Sequence, residues 1–440
     1  MALIKLKRGY DLNLKGKVES NEVTEARARL VAVVPDDFHG VVPRMDKKAG
    51  DHVVAGETLY HDKTHEQIKV TAPVSGTLKE VVRGERRKIL AVVIEPDGNG
   101  DSRTFDTKNT IKELLLESGL WAMMRQRPYD VVPNPEARPR DIFVTAFDSA
   151  PLAPSLVALL GDDVKHVARG VEALKTLTLG DVYIGCRPGE TVEAPQAVVN
   201  TFAGPHPAGN AGVQAANVKP VNKGDTVWTL DIVTVARLGK LLATGKLDCT
   251  TTVAVTGSEV KEPKLVRTVM GCAVGDLLAD NLADNDKEKR IISGNVLTGE
   301  HVAGDGFLRA PYRQLTVIPE VAKRDEFMGW ASLSPKKFSV HRTFMSWMCG
   351  KKERELDAKL NGGERAIVMC GEYDRMLPMD IYGEFLIKAI IAFDIDKMEQ
   401  LGIYEVAPED FALAEFADTS KLELQRIVRE GLDRMRAEME

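Results

Sequence analysis

The chain has 440 residues, 44% hydrophobic and 28% charged, enough for roughly three domains of ordinary soluble composition. Its 59 basic and 65 acidic residues give a net charge of -6, which excludes the basic excess of a nucleic-acid binder. No uninterrupted apolar run approaches the ~18 residues of a membrane span, and Met1 to Arg8 mixes charge with apolar residues and has no apolar core of signal-peptide length.

Residues 31–95 read as short strands punctuated by Gly40, Gly50, Gly56, Gly76 and Gly84. The pieces Ala49 to Gly56 and Ala72 to Leu78 resemble a lipoyl or biotinyl domain, a flattened barrel-like β-sandwich. Asp62-Lys63 falls in the hairpin where such domains carry their modified lysine. The stretch from Lys63 to Pro73 is longer than the usual swinging-arm hairpin, and His61, His65 and Glu66 crowd the tip, so no lipoylation is expected. His61 and His65 are four apart, a spacing that aligns two ligands on a helix but not in a strand and turn. No zinc site is predicted there.

Pro96 to Asn109 reads as a linker. Ile111 to Leu116 begins a helix, Asp141 to Phe147 is a buried strand, Val164 to Leu177 is helical, and Asp181 to Gly185 is again a strand. Thr226 to Leu230 and Val235 to Leu242 add a strand and a helix. Strands alternating with helices predict a Rossmann-like parallel α/β sheet. Thr251 to Thr256, Pro263 to Val269, a helix over Val274 to Leu282, Arg290 to Gly299 and Gln314 to Ile318 form a small mixed unit of β-grasp size. After Trp330 the chain is mostly helical, with Ile381 to Phe393, Asp396 to Leu401 and Leu422 to Met439 at helical spacing.

The expected fold is therefore an α/β and β multidomain protein. Its parts are a lipoyl-like β-sandwich (1–100), a Rossmann-like α/β domain without a flavin loop (101–250), a β-grasp, SLBB-like domain (251–330) and a helical domain (331–440).

The five cysteines, Cys186, Cys249, Cys272, Cys349 and Cys370, are scattered without a Cys-x2-Cys pair. They predict buried structural thiols in a reducing compartment, not a disulfide framework or a cysteine-rich metal site. Ile367, Cys370, Tyr373, Leu377 and Pro378 fall on the spacing Cys-x2-Cys-x2-Cys-x3-Cys-Pro of an iron–sulfur ligand run. Only the second cysteine and the proline remain. Ile, Tyr and Leu side chains cannot replace thiolates there.

Four segments together resemble the A subunits of sodium-translocating NADH:quinone oxidoreductases, a family related to the C subunits of Rnf complexes and the flavoprotein subunits of complex I. They are Phe202 to Gly209, Arg267 to Cys272, Arg290 to Gly294, and Asn361 to Arg365 leading to Tyr373 to Asp380. The resemblance covers nearly the whole chain. It departs at Asn210, where a bulky residue is more familiar, and at Ala417 to Ser420, which lacks an expected cysteine.

The resemblance implies a peripheral subunit on the cytoplasmic face of the bacterial inner membrane. Its partners would be the other pump subunits, chiefly an integral-membrane one. NADH, FAD, FMN, riboflavin and iron–sulfur centres are implied in those partners, none in this chain. In the flavin-binding relatives a Ser-Gly-Leu element precedes a glycine-rich loop that lets backbone approach the flavin phosphate. Here Ser118-Gly-Leu120 is kept, but Trp121-Ala-Met-Met-Arg-Gln-Arg-Pro128 follows.

No nucleophile elbow, triad or phosphate-cradling loop is visible, so no catalytic and no metal-ligating residue is predicted in the chain. Four residues are candidate quinone contacts: His206, Trp121, Met124 and Phe202. His206 lies between Pro205 and Pro207 inside Gly204 to Gly209, a stiff loop whose imidazole could hydrogen-bond a quinone carbonyl. Its alternative role is to pin that loop. Trp121 and Met124, with Met123, form either an apolar wall or ordinary packing. Arg125 and Arg127 read as solvent-facing or interface residues. The competing functions are an Rnf-type subunit that binds NADH or flavin itself, and a lipoyl or biotinyl carrier.

Overall fold

A computed structural model describes residues 2–320, 340–342, 344–350 and 352–439, without the side chain of Cys349. Residues 31–96 form two antiparallel sheets packed face to face. One runs in the order Val31–Val33, Ile89–Pro96, Gly76–Arg83, His52–Val53, the other Pro43–Met45, Thr58–Asp62, Lys69–Thr71. Alternate residues point to opposite faces of a strand. Leu59, Val70, Leu78, Val92 and Ile94 therefore fill the space between the sheets, while Thr77 and Lys79 stay outside.

The next unit holds a six-stranded sheet in the order Ala2–Lys5, Val198–Ala203, Val182–Cys186, Asp141–Thr145, Val227–Asp231, Arg125–Arg127. The first five are parallel and the last is antiparallel. The start of the chain thus pairs with residues 200–203 and lies outside the sandwich. Both faces of this sheet are covered, as a parallel sheet requires. Ile142, Val144, Val182 and Ile184 pack with Val171, Leu174, Val235 and Leu238 from the helices Val167–Lys175 and Ile232–Thr244. Phe143 and Phe202 point the other way and join Val213 and the C-terminal helices. The helices begin where local chemistry allows. Thr110 and Glu113 close a capping box on Ile111–Ser118, and the Asp231 carboxylate accepts from Thr234 N–H at 2.7 Å at the start of Ile232–Thr244.

A second six-stranded sheet runs Glu300–Val302, Lys289–Ser293, Gln314–Pro319, Thr250–Thr256, Lys264–Val269, Val23–Glu25. Its helix is only Val274–Leu277, shorter than the Val274 to Leu282 expected from periodicity. Asp280 takes φ +56, and the Asn281 amide exchanges bonds with the Glu262 main chain at 2.9 and 3.0 Å. Those side-chain bonds compete with continuation of the helix. The Asp37 carboxylate fastens the sandwich to this unit by accepting from Arg309 and from Ala310 N–H at 2.8 Å.

The C-terminal part packs the helices Glu372–Met376, Gly383–Ala392, Ile395–Gln400, Ala412–Ala417 and Leu424–Met439 around Leu386, Ile390, Leu413, Val428 and Leu432. Where this part begins, near residue 331, lies outside the described residues. Among the described residues no helix is long and apolar enough to cross a membrane.

Candidate functional site

In an open α/β sheet, ligands bind outside the carboxyl ends of the parallel strands. The loop after Val198–Ala203 carries His206, and the loop after Asp141–Thr145 carries Ser149. Ser149 Oγ accepts from Gly209 N–H at 2.8 Å and lies 3.0 Å from His206 Nδ1. The ring's tautomer decides which of the two donates in that contact. The Nε2 atom is buried and has no partner. Burial pushes the His206 pKa down to about 4, against a hydrogen bond to the Ser149 main chain, so the ring is neutral near pH 7.

The main chain of His206 is held from a distance in sequence. Its N–H donates to Asp11 Oδ1 at 2.8 Å, and its carbonyl accepts from Tyr10 N–H at 2.9 Å. The strap needs glycine at position 9, where φ is +116 and a Cβ would stand 2.2 Å from the His206 carbonyl oxygen.

The four candidate quinone contacts are all buried, but they do not meet at one place. Phe202 lies on the strand entering His206's loop and packs toward the C-terminal helices. Trp121 and Met124 belong to the cluster on the opposite face of the sheet. Trp121 donates from Nε1 to the Pro133 carbonyl at 2.8 Å and meets Trp228 edge to face at 5.0 Å. Three cavities, of about 30, 650 and 560 Å³, open among the described residues, and none of the four candidates lines them. Ser118, Gly119 and Leu120 line the smallest, which has room for water but not for a flavin.

Arg127 is not a surface residue. It is 1% exposed. Its Nη1 donates to Asp410 Oδ2 at 2.8 Å and to the Glu405 carbonyl at 2.7 Å, and its Nη2 to Glu409 Oε1 at 3.1 Å. Asp410 also accepts from Ala407 N–H at 2.9 Å and from the Asn210 amide at 3.3 Å. Burial works against the Arg127 charge, but Asp410, Glu409 and Asp130 outweigh it and hold its pKa above the ordinary value. The guanidinium lies so close to Gly212, at the start of the helix Ala211–Val218, that a Cβ there would be 2.5 Å from it. A helix start is where an anionic group would otherwise be favoured. Here the chain's own arginine and aspartate fill that ground, and the residues do not fit a flavin phosphate.

The iron–sulfur spacing fits no better. Tyr373 and Leu377 are buried in the helical core. Cys370, expected to be buried, is exposed, with Sγ 3.8 Å from Glu372. Burial of the sulfur and then the Glu372 charge push its thiol pKa up, away from a ligand thiolate. Cys186, Cys249 and Cys272 are buried free thiols. Among the described residues no group of three or more His, Cys, Asp or Glu could hold a metal ion. Sequence spacing missed Arg127 and Asp410 because 283 positions separate them.

These features define a mixed α/β multidomain protein with a barrel-sandwich N-terminal domain. Family models agree in detail: the NqrA N-terminal barrel-sandwich hybrid domain matches residues 4–97, the NqrA second alpha/beta domain 106–247, and the NQRA C-terminal domain 252–304. The A subunit of the Na(+)-translocating NADH-quinone reductase of Marinomonas sp. (strain MWYL1) is 36% identical, covering 98% of each chain. Its counterpart in Rhodopirellula baltica is also 36% identical, over 98% of this chain and 97% of its own. The counterpart in Neisseria meningitidis serogroup C is 34% identical over 99% and 100%. The chain belongs to this NqrA family, the A subunits of Na(+)-translocating NADH-quinone reductases. Among solved structures, an NAD+-reducing [NiFe]-hydrogenase in the H2-reduced state is similar over 75% of this chain and 61% of its own, with TM-score 0.35 and 13% identity.

Proposed function

We propose that the chain serves as the A subunit of a sodium-translocating NADH-quinone reductase, docked at the cytoplasmic face of the membrane on an integral-membrane partner, and that it carries no redox cofactor of its own. The family relationship over 98% of the chain supports the subunit role. The observation that carries the cofactor-free reading is the buried Arg127–Asp410 pair beside Gly212. It is joined by the missing thiolates at Ile367, Tyr373 and Leu377. We read the sheet of residues 125–231 as Rossmann-like and that of residues 250–319 as a β-grasp. The proposed domains are 1–100, 101–250, 251–330 and 331–440, with residues 2–5 lent to the second and 23–25 to the third.

Within this reading His206 is the residue that touches quinone. Its Nε2 is the ring nitrogen left without a partner, on a loop held at the carboxyl ends of the strands. Trp121, Met124 and Phe202 serve as the packing that holds the sheet and its loops. The visible absorption spectrum of the purified full chain tests the cofactor-free reading. A colourless protein is expected; stoichiometric flavin or cluster bands would overturn the cofactor-free reading.

A further inference from the structure

We propose that the cavity between the helix Ile232–Thr244 and the strands Thr250–Thr256 and Lys264–Val269 binds an oxyanion of the phosphate class, held by Arg237, Arg313 and Arg267. The cavity measures about 560 Å³, and all three arginines line it. It lies apart from the His206 loop and from Arg127.

Two of the three guanidiniums are buried, at 4% exposure for Arg237 and 7% for Arg313. Buried charges are ordinarily paired. These two rest mainly on neutral carbonyls. Arg237 donates from Nε to Asp248 O at 2.7 Å and from Nη2 to Thr250 O at 3.1 Å. Arg313 donates from Nη1 to Ala310 O at 3.1 Å. Asp231 Oδ2 forms a long ion pair with Arg313 Nη2 at 3.6 Å while its Oδ1 accepts from Thr234 N–H, so Arg313 is only loosely paired. Arg237 Nη1 and Arg313 Nε are left buried with no acceptor in the protein.

The remaining charges around the cavity do not cancel this excess. Lys240 bridges Asp163 and Asp248, at 2.9 and 2.7 Å, and offsets one of their two charges. Asp162 is one exposed carboxylate against the exposed cations Arg267 and Lys165. His166, also in the lining, senses the field: burial lowers its pKa, and Lys165, Lys240 and Arg169 lower it further against Asp163 alone. Burial likewise lowers the pKa of Arg313, with Asp231 opposing and Arg237 adding to the effect.

An oxyanion in the cavity would add counter-charge beside guanidiniums that rest mainly on carbonyls. Guanidinium forks match the geometry of phosphate. The volume exceeds that of a bare ion, so an esterified phosphate fits as well as a free one.

The test is calorimetric titration of the full chain with inorganic phosphate, with sodium chloride at equal ionic strength as the reference, and with glycerol 3-phosphate as the ester. Saturable one-to-one phosphate binding is expected, weakened at least about tenfold, or about 1.4 kcal/mol, in Arg267→Ala. The exposed position of Arg267 leaves the fold intact. Tighter binding of glycerol 3-phosphate assigns the ester as the natural form, and tighter binding of phosphate the free anion. In Arg313→Met, phosphate binding should vanish while the melting temperature without phosphate rises, because an under-paired buried charge is replaced by apolar volume. Heats that follow ionic strength alone, or an unchanged phosphate affinity in Arg267→Ala, overturn the proposal.

Discussion

Arg127 Nη1 donates to Asp410 Oδ2 at 2.8 Å across 283 positions of sequence, with both side chains sealed from solvent. The pair joins the edge strand of the parallel sheet to the C-terminal helices. Removing one partner leaves the other as a buried, uncompensated charge. Arg127→Ala or Asp410→Ala should therefore cost about 3–5 kcal/mol. Arg127→Met with Asp410→Leu should cost clearly less than the sum. Chemical denaturation of the three variants checks this, and strict additivity would show that the two groups are uncoupled.

Glu405 lies beside the same pair. Burial raises its pKa, Asp380 and Asp410 raise it further against Arg127, and the result is about 7. An unfolded glutamate titrates near ~4.3. Between about pH 4.5 and 7 the folded state holds a proton that the unfolded state has lost, so stability falls as pH rises through that window. The effect is on the order of 2 kcal/mol for a half-buried group. Melting temperatures across pH 4.5–8 should show a shallower decline in Glu405→Gln than in the parent chain. Parallel curves would assign the slope to other groups.

Much of this architecture was legible in the sequence, for reasons that particular residues make plain. Ile142 to Val144 is an unbroken apolar run because both faces of its sheet are covered. In Gly76–Arg83 the buried Gly76 and Leu78 alternate with the exposed Thr77 and Lys79, because that stretch turns one face to solvent. Local patterns carry such information. They carry none about Arg127, whose partners come from the far end of the chain, nor about Ala2–Lys5, whose neighbour is the strand Val198–Ala203. The same limit applies to the candidate site. The stiffness of the His206 loop could be read from its prolines, but not the Ser149 contact at Nδ1, nor the separation of Trp121 and Met124 from Phe202 by the thickness of the sheet.

Lys63 stands exposed at the tip between Thr58–Asp62 and Lys69–Thr71. The tip is shaped by Asp62, whose carboxylate accepts from Val42 N–H at 2.7 Å and His65 N–H at 2.8 Å. The Lys63 side chain makes no such bond among the described residues, so Lys63→Arg should change stability by less than about 0.5 kcal/mol and leave assembly and quinone reduction intact. An intact mass above the sequence value, or lost activity in a normally assembled complex, would identify the lysine as a carrier site.

His206 separates structure from chemistry in one residue. Its folded pKa is depressed to about 4, whereas an unfolded histidine titrates near ~6.5. Below about pH 6.5 the unfolded state gains a proton that the folded state refuses, so stability falls as pH drops from 6.5 to 4. His206→Gln should flatten that acid limb of the melting curve, whatever else the residue does. Its role toward quinone is a second, separable measurement. If Nε2–H donates to a quinone carbonyl, His206→Ala should weaken apparent quinone affinity by about 1–3 kcal/mol, with NADH oxidation by an artificial acceptor unchanged. If the ring only braces the loop against Ser149, the same variant should lower the melting temperature or the yield of assembled complex and leave quinone kinetics alone. The ring's surroundings favour the first outcome: Nδ1 is already engaged by Ser149, and the Nε2 left buried without a partner is stabilised by a hydrogen-bonding group that arrives from outside the chain.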